Sequence, residues 1–167
     1  MTDDRLEQPL DRELLASIIR RYEDATYRMH RRVNALLRKC IGEEDITLDQ
    51  YLVIRYLRMK GRSISSELAD VFGVGKSSIT AIITRLFDKR LIERHPDAKD
   101  RRMIYLSLTE AGRRLAELVD ERMRDRLSAV MNHFSRDEAL RFIGTYEKMV
   151  DLLAEAAETE GRGRSTV

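Results

Sequence analysis

Two short runs in this chain have the residue types and spacing to hold a polyanion. The first is Lys76-Ser77-Ser78-Ile79-Thr80-Ala81-Ile82-Ile83-Thr84-Arg85-Leu86. Ile79, Ile82, Ile83 and Leu86 fall at i, i+3, i+4 and i+7, which is one buried stripe of a helix. The other face carries Lys76, Ser77, Ser78, Thr80, Ala81, Thr84 and Arg85, with no carboxylate before Asp88. Small hydroxyls allow close approach to a duplex, and helix N-terminal N–H groups bind phosphate. The second run is Pro96-Asp97-Ala98-Lys99-Asp100-Arg101-Arg102. It joins two strand-like stretches, 91–95 and 103–108, and so makes a hairpin with a charged tip. Lysine and arginine at such a tip suit the negative potential of a narrow minor groove. The residues alone leave other readings open. The hydroxyls could serve only as caps, the tip could be a solubilising loop, and helix-turn-helix units also occur outside DNA binding.

Charge distribution fits the first reading but does not decide it, since two solvated faces of opposite sign would give the same pattern. Over the whole chain 31 basic residues oppose 29 acidic ones, a net charge of +2 that decides little. From Gly73 to Arg102 eight basic residues oppose four acidic ones, giving +4. From Phe134 to Glu160 three oppose seven, giving −4. The middle segment is built to meet a polyanion and the last is not.

Other chemistry is missing. His30, His95 and His133 stand far apart, and the single cysteine, Cys40, has no cysteine to pair with, so neither a metal site nor a disulfide framework is expected. No nucleophile elbow, P-loop or dinucleotide fingerprint is present, so no enzyme and no cofactor is expected. The N-terminus lacks the apolar core of a signal peptide, and no apolar run approaches the roughly 18 residues of a membrane span. A reducing, cytoplasmic setting is the simplest expectation. At 167 residues, with 8 Gly, 2 Pro and no Trp, the composition favours helices.

The elements that must position the two runs follow from periodicity. A long helix runs from 11 to 40, with Leu15, Tyr22, Met29 and Leu36 at seven-residue steps and Ile19, Thr26, Val33 and Cys40 offset by four. This a/d-like stripe is too long for a small domain to cover, so a partner chain is expected. Cys40 lies on the stripe and reads as packing. Gly42 ends the helix. Thr47 and Gln50 have capping-box spacing and open a short helix ending before Gly61. Ser63 or Ser65 caps the next, which runs to about Phe72 with Leu68, Ala69 and Phe72 inward. Gly73-Val74-Gly75 is a tight turn, so the two short helices around it form a helix-turn-helix. Of the two strands after it, the second puts Ile104, Leu106 and Leu108 on one face. Thr109 caps a helix carrying Ala111, Leu115, Leu118, Met123, Leu127, Val130 and Phe134. Ser135 and Glu138 form a second capping box, opening a helix with Ala139, Phe142, Ile143, Tyr146, Met149, Val150 and Leu153.

The expected fold is mainly α with a small two-stranded β wing: a winged helix-turn-helix lobe plus a helical dimerisation region. Its parts are an N-terminal arm and dimerisation helix (1–40), the DNA-binding lobe (41–108), C-terminal dimerisation helices (109–160) and a disordered tail (161–167).

The chain resembles the MarR family of bacterial transcriptional regulators. The resemblance rests on the run Leu86 to Arg94, then Asp100-Arg101-Arg102, then Leu106-Ser107-Leu108-Thr109-Glu110-Ala111-Gly112, with Glu67-Leu68-Ala69 and Ser77-Ser78-Ile79-Thr80 upstream. It spans about Leu14 to Leu153. It implies a homodimer formed through the long first and last helices, binding double-stranded DNA at a pseudo-palindrome. The recognition helix (about 76–88) would enter the major groove, and the wing (96–102) the minor groove. By position it implies contacts from Lys76, Ser77, Ser78, Thr80, Ala81, Thr84, Arg85, Lys99 and Arg101, with Asp100 and Arg102 as a wing pair in which the acid orients the arginine. Repression relieved by a small aromatic or anionic effector is expected. Tyr22, Thr26, Met29, His30, Tyr51 and Arg55 are candidates for the effector cleft, and each could equally be core or interface.

Three positions depart from the family pattern. Ala81 stands where many members have a base-reading arginine, which leaves apolar contact such as with a thymine methyl. Gly75 replaces a common capping serine. Arg90 replaces a glycine before the first strand, at a cost of roughly 1 kcal/mol if the backbone there is left-handed. Two rival functions remain at this stage. A winged-helix protein-interaction module would expose an apolar patch where the hydroxyl face lies. A ligand-modifying enzyme would need a catalytic constellation.

Overall fold

A computed structural model describes residues 11–42, 44–98, 100 and 102–163, with side chains up to residue 156. The elements in order are α1 (Arg12–Ile41), α2 (Leu48–Lys60), β1 (Arg62–Ile64), α3 (Ser65–Phe72), α4 (Lys76–Asp88), β2 (Ile92–Pro96), β3 (Ile104–Leu108), α5 (Glu110–Met131) and α6 (Arg136–Gly163). They form two compact units, one through Met123 and one from Arg124.

Local chemistry sets the ends of α1. Asp11 accepts from the Leu14 N–H at 2.8 Å, Arg38 and Lys39 sit in the last turn, and Gly42 leaves the helix at φ 61°. The Arg122 guanidinium closes the C-terminus, donating to the Cys40 carbonyl at 2.9 Å and to Glu44 at 3.2 Å. Leu37, Cys40 and Ile41 are buried with Tyr51 and Val119. The earlier part of the stripe is open: Leu15, Ile19, Tyr22 and Met29 are 40–58% exposed.

The lobe core gathers Val53, Ile54 and Leu57 of α2, Leu68 and Ala69 of α3, Ile79, Ile83 and Leu86 of α4, Ile92 of β2, Leu106 and Leu108 of β3, and Ala116 of α5. The Thr47–Gln50 capping box is formed in both directions, at 3.1 and 3.3 Å. Tyr51 sends its hydroxyl to Asp120 at 2.7 Å, and burial together with that carboxylate pushes its pKa far up.

The sheet has three antiparallel strands in the order β1-β3-β2, one more than the expected hairpin. β1 pairs Arg62 with Ser107, Ser63 with Leu106 and Ile64 with Tyr105. It is three residues long and shows no alternation that periodicity could detect. Its presence corrects the expected cap of α3. Ile64 stands at the N-cap, with no side-chain bond to give, and Ser65 is already helical. Ser63 is buried in β1 and donates instead to Glu67 at 2.6 Å. Glu67 also receives the Tyr56 hydroxyl at 3.0 Å and pairs with Lys60 at 3.3 Å. The bond from Ser63 is the largest cause holding its pKa below the usual carboxylate value, followed by that from Tyr56. Ile104 shares a face with buried Leu106 and Leu108, yet it is 46% exposed because it pairs with Pro96 at the outer end of the wing.

The junction after α4 shows what the Leu-Thr-x-x-Gly block does. The Leu91 N–H bonds the Leu86 carbonyl and the Arg90 N–H bonds that of Phe87, a Schellman closure with Arg90 at φ 56°. Thr109 then ties β3 to this turn. Its N–H donates to Leu91 O at 3.1 Å, and its hydroxyl donates to Arg90 O at 2.7 Å while accepting from the Gly112 N–H at 3.1 Å. A Cβ on Gly112 would lie 2.1 Å from the Leu91 carbonyl oxygen, so only glycine fits. The buried face of α5 is Gly112, Ala116 and Val119, one position after the expected Ala111, Leu115 and Leu118, and α5 ends before Phe134.

In the second unit, the Ser135–Glu138 box is formed at 2.9 and 3.3 Å. The Ser135 hydroxyl and N–H hold the Glu138 pKa down. α6 runs to Gly163, into the segment expected to be a tail, and residues 164–167 lie outside the described residues. Phe142, Ile143, Tyr146, Val150 and Leu153 of α6 are 44–58% exposed.

Candidate nucleic-acid interface

The predicted helix face is presented as a unit. Ile79, Ile83 and Leu86 anchor α4 in the core, and Lys76, Ser77, Ser78, Thr80, Ala81, Thr84 and Arg85 all face solvent. Gly73 ends α3 at φ 60°, with its N–H bonded to Asp70 O and the Val74 N–H to Ala69 O. Gly75, at φ −65° and ψ 152°, is the N-cap of α4 and brings no side-chain cap. The first N–H groups of α4 therefore keep their capacity to meet an anion. The Thr80 hydroxyl donates to the Lys76 carbonyl at 2.7 Å, so it faces outward as an acceptor and a methyl group.

The wing is braced from within. The Asp97 carboxylate accepts from the Asp100 N–H at 2.9 Å, and the Asp100 carboxylate accepts from the Arg102 N–H at 2.9 Å. The expected wing pair is thus in contact through the main-chain N–H of Arg102. Asp100 and Arg102 are exposed. Lys99 and Arg101 lie outside the described residues.

Ion pairing separates the cations. Lys89 is held by the carboxylate and carbonyl of Asp45. Lys76, Arg85, Arg90, Arg94 and Arg102 enter no ion pair among the described residues. Two arginines are stacked on aromatic rings, one on a partner seven residues away in the preceding helix and the other on a partner distant in the chain, and neither contact is contained in periodicity. Arg94 lies over the Phe87 ring at 4.5 Å, and Arg62 over that of Tyr105 at 4.4 Å. On the outer sheet face His95 Nε2 lies 3.0 Å from Ser107 Oγ and 3.3 Å from Glu93.

This architecture agrees with the comparisons with known proteins. A family model described as MarR family matches residues 44–103. The chain is 32% identical over 123 residues to the HTH-type transcriptional regulator FarR of Neisseria gonorrhoeae, covering 74% of this chain and 80% of that one. The chain belongs to the MarR family. The HTH-type transcriptional repressor MdtR of Bacillus subtilis is likewise 32% identical, over 118 residues, with 71% and 74% of the two chains covered. Among solved structures, a mutant MarR from E. coli complexed with operator DNA superposes with a TM-score of 0.63 at 23% identity, covering 76% and 91% of the two chains. As a MarR-family protein this chain is a DNA-binding transcriptional regulator with a winged-helix fold, and not an enzyme.

The effector candidates are scattered by environment. Tyr51 is buried, and its hydroxyl is committed to Asp120. Thr26 is half-buried, while Tyr22, Met29, His30 and Arg55 are exposed. A shallow groove along α1 is lined by Ile18, Arg21, Tyr22, Asp24, Ala25 and Arg28, and takes in only Tyr22 of the six. Cys40 is fully buried. Among the described residues no cluster of His, Cys, Asp and Glu could hold a metal, and no helix is long and apolar enough to cross a membrane.

Proposed function

We propose that this regulator is a cytoplasmic homodimer that represses transcription from a pseudo-palindromic operator and is released by a small aromatic or anionic effector. In this reading α4 enters the major groove with Lys76, Ser77, Ser78, Thr80, Ala81, Thr84 and Arg85. The wing, with Lys99, Asp100, Arg101 and Arg102, follows the minor groove. Half-sites would lie about one helical turn, roughly 10 bp, apart. The observation that carries it is the exposed hydroxyl and cation face of α4 beside Arg90, Arg94 and Arg102, which enter no ion pair among the described residues.

The dimer is supported by the open apolar stripes of α1 and α6 and by their charges. From Arg12 to Ile41 eight basic residues oppose three acidic ones, giving +5, against −4 for residues 134–160. Repression is supported by the name of a relative, the transcriptional repressor MdtR. The effector part rests on the aromatic and basic residues along α1 and α2.

Fluorescence anisotropy on the duplex upstream of the protein's own gene, beside a scrambled duplex, across a salt series, tests the reading. Tight binding that survives physiological salt, with a wide gap over the scramble, is expected. Equal and steeply salt-sensitive binding to both would count against sequence-specific control from that site. For the effector, a panel of benzoates that displaces DNA should lose affinity in Tyr22→Ala and Arg55→Ala. Unchanged affinity in both would remove those residues from the site.

A further inference from the structure

The stacked pair Arg94–Phe87 occupies the place where a major-groove element and a minor-groove element meet. Phe87 lies in the last turn of α4 and is 41% exposed. Arg94 lies in the middle of β2, opposite Leu106, on the sheet face whose inner residues Ile92 and Leu106 are buried. That face turns toward α4, so the side chain reaches back from the wing to the helix. The guanidinium rests 4.5 Å over the ring and enters no ion pair among the described residues. The ring covers one side of the cation, and no hydrogen bond or ion pair among the described residues takes up its N–H donors.

In duplex DNA a single sugar–phosphate backbone separates a major groove from the adjacent minor groove. With α4 in one and the wing in the other, that backbone must cross the gap between them. The geometry points to Arg94 as a clamp on a phosphodiester of this crossing strand, with Phe87 as the residue that positions it. The clamp rests on the proposed docking of α4 and the wing. It is independent of base sequence, because a phosphate carries none.

The test uses the full chain and a mixed-sequence duplex several helical turns long, titrated across a salt series. Arg94→Gln should weaken binding about tenfold at moderate salt. It should also lower the slope of log K against log salt by about one ion per bound lobe. Arg94→Lys should restore the slope. Phe87→Leu should keep the slope, weaken binding less, and add no loss in the Arg94→Gln background. Thermal unfolding of each variant checks that the lobe stays folded.

Lys76→Gln and Arg85→Gln separate the two levels of the argument. If they lower the slope and folded Arg94→Gln does not, the clamp is overturned and the docking stands. If none of the three changes it, the docking fails and the clamp fails with it. If Phe87→Leu weakens binding equally with and without Arg94, its positioning role is overturned.

Discussion

The winged lobe and the long helices treat the same kind of residue in opposite ways. In α2, α3 and α4 the apolar positions close on one another: Ile54, Leu57, Leu68, Ile79 and Leu86 are at most 1% exposed. In the first three turns of α1 and along α6, residues at equally regular spacing stay open, with Ile19 at 47%, Tyr146 at 51% and Leu153 at 58%. A helix stripe is stable only when something covers it. The lobe therefore reads as a unit that completes its own core, while the helices present a surface still to be completed. Disturbing the packing of the lobe should lower its stability, and charging the helices should leave it folded but change its association.

The lobe is most exposed to failure at the β3–α5 junction. Gly112→Ala places a methyl on the Leu91 carbonyl, and backbone meets backbone there, so no side chain can move aside. The expected cost is about 3 kcal/mol, at the upper end of overpacking penalties. That is a fall in Tm of roughly 10 °C, readable by calorimetry. A change under about 2 °C would show that the junction yields and is not the lock described above.

Charging the open stripes tests the other half. Ile19→Glu and Tyr146→Glu should raise the midpoint of dimer dissociation at least about tenfold each, or 1.4 kcal/mol, by sedimentation. The far-UV spectrum of the lobe should not change. A midpoint that stays put in both variants would mean that these stripes are covered by something other than a second copy.

Glu67 sharpens the comparison from inside the lobe. Its folded pKa is depressed, so it holds the proton less tightly folded than unfolded. The stability it contributes is present above its ordinary value of 4.5 and is lost as pH falls through the lower, folded value. Urea midpoints measured downward from pH 6 should fall less steeply in Glu67→Gln than in the parent. Parallel profiles would assign the acid response to other carboxylates.

Legibility followed the range of the interaction. The capping pairs Thr47–Gln50 and Ser135–Glu138 span three residues, and the stripe Ile79–Ile83–Leu86 spans two turns, so one stretch of sequence contains each complete signal. β1 could not be read, because it is a strand only through Leu106 and its neighbours, more than forty residues away. Spacing offers Ser63 or Ser65 as the cap of α3 for the same reason: it does not show that the strand claims Ser63 before the helix can use it. Within the candidate interface the α4 face was legible from spacing. The hold of Phe87 on Arg94 depends on how α4 meets β2, which spacing does not contain. Tyr51 reads equally as cleft or core from sequence, because an aromatic on a short helix does not announce that Asp120, 69 residues away, will take its hydroxyl.

The smallest effect compares two turns of one kind inside the lobe. α3 and α4 end in the same Schellman pattern, one with Gly73 at φ 60° and the other with Arg90 at φ 56°. Left-handed backbone is unstrained for glycine and costs an L residue with a Cβ about 1–2 kcal/mol. Arg90→Gly removes that strain but also gives the unfolded chain more freedom to lose, which returns part of the gain. The net stabilisation should be about 0.5–1 kcal/mol, a rise of roughly 2–3 °C in Tm. Gly73→Ala should move the other way, through strain alone, because nothing within 4 Å would meet its new methyl. Opposite signs at the two turns would show that backbone strain, and not contact, decides both. A destabilising Arg90→Gly would mean that the arginine side chain contributes more to the lobe than its backbone takes away.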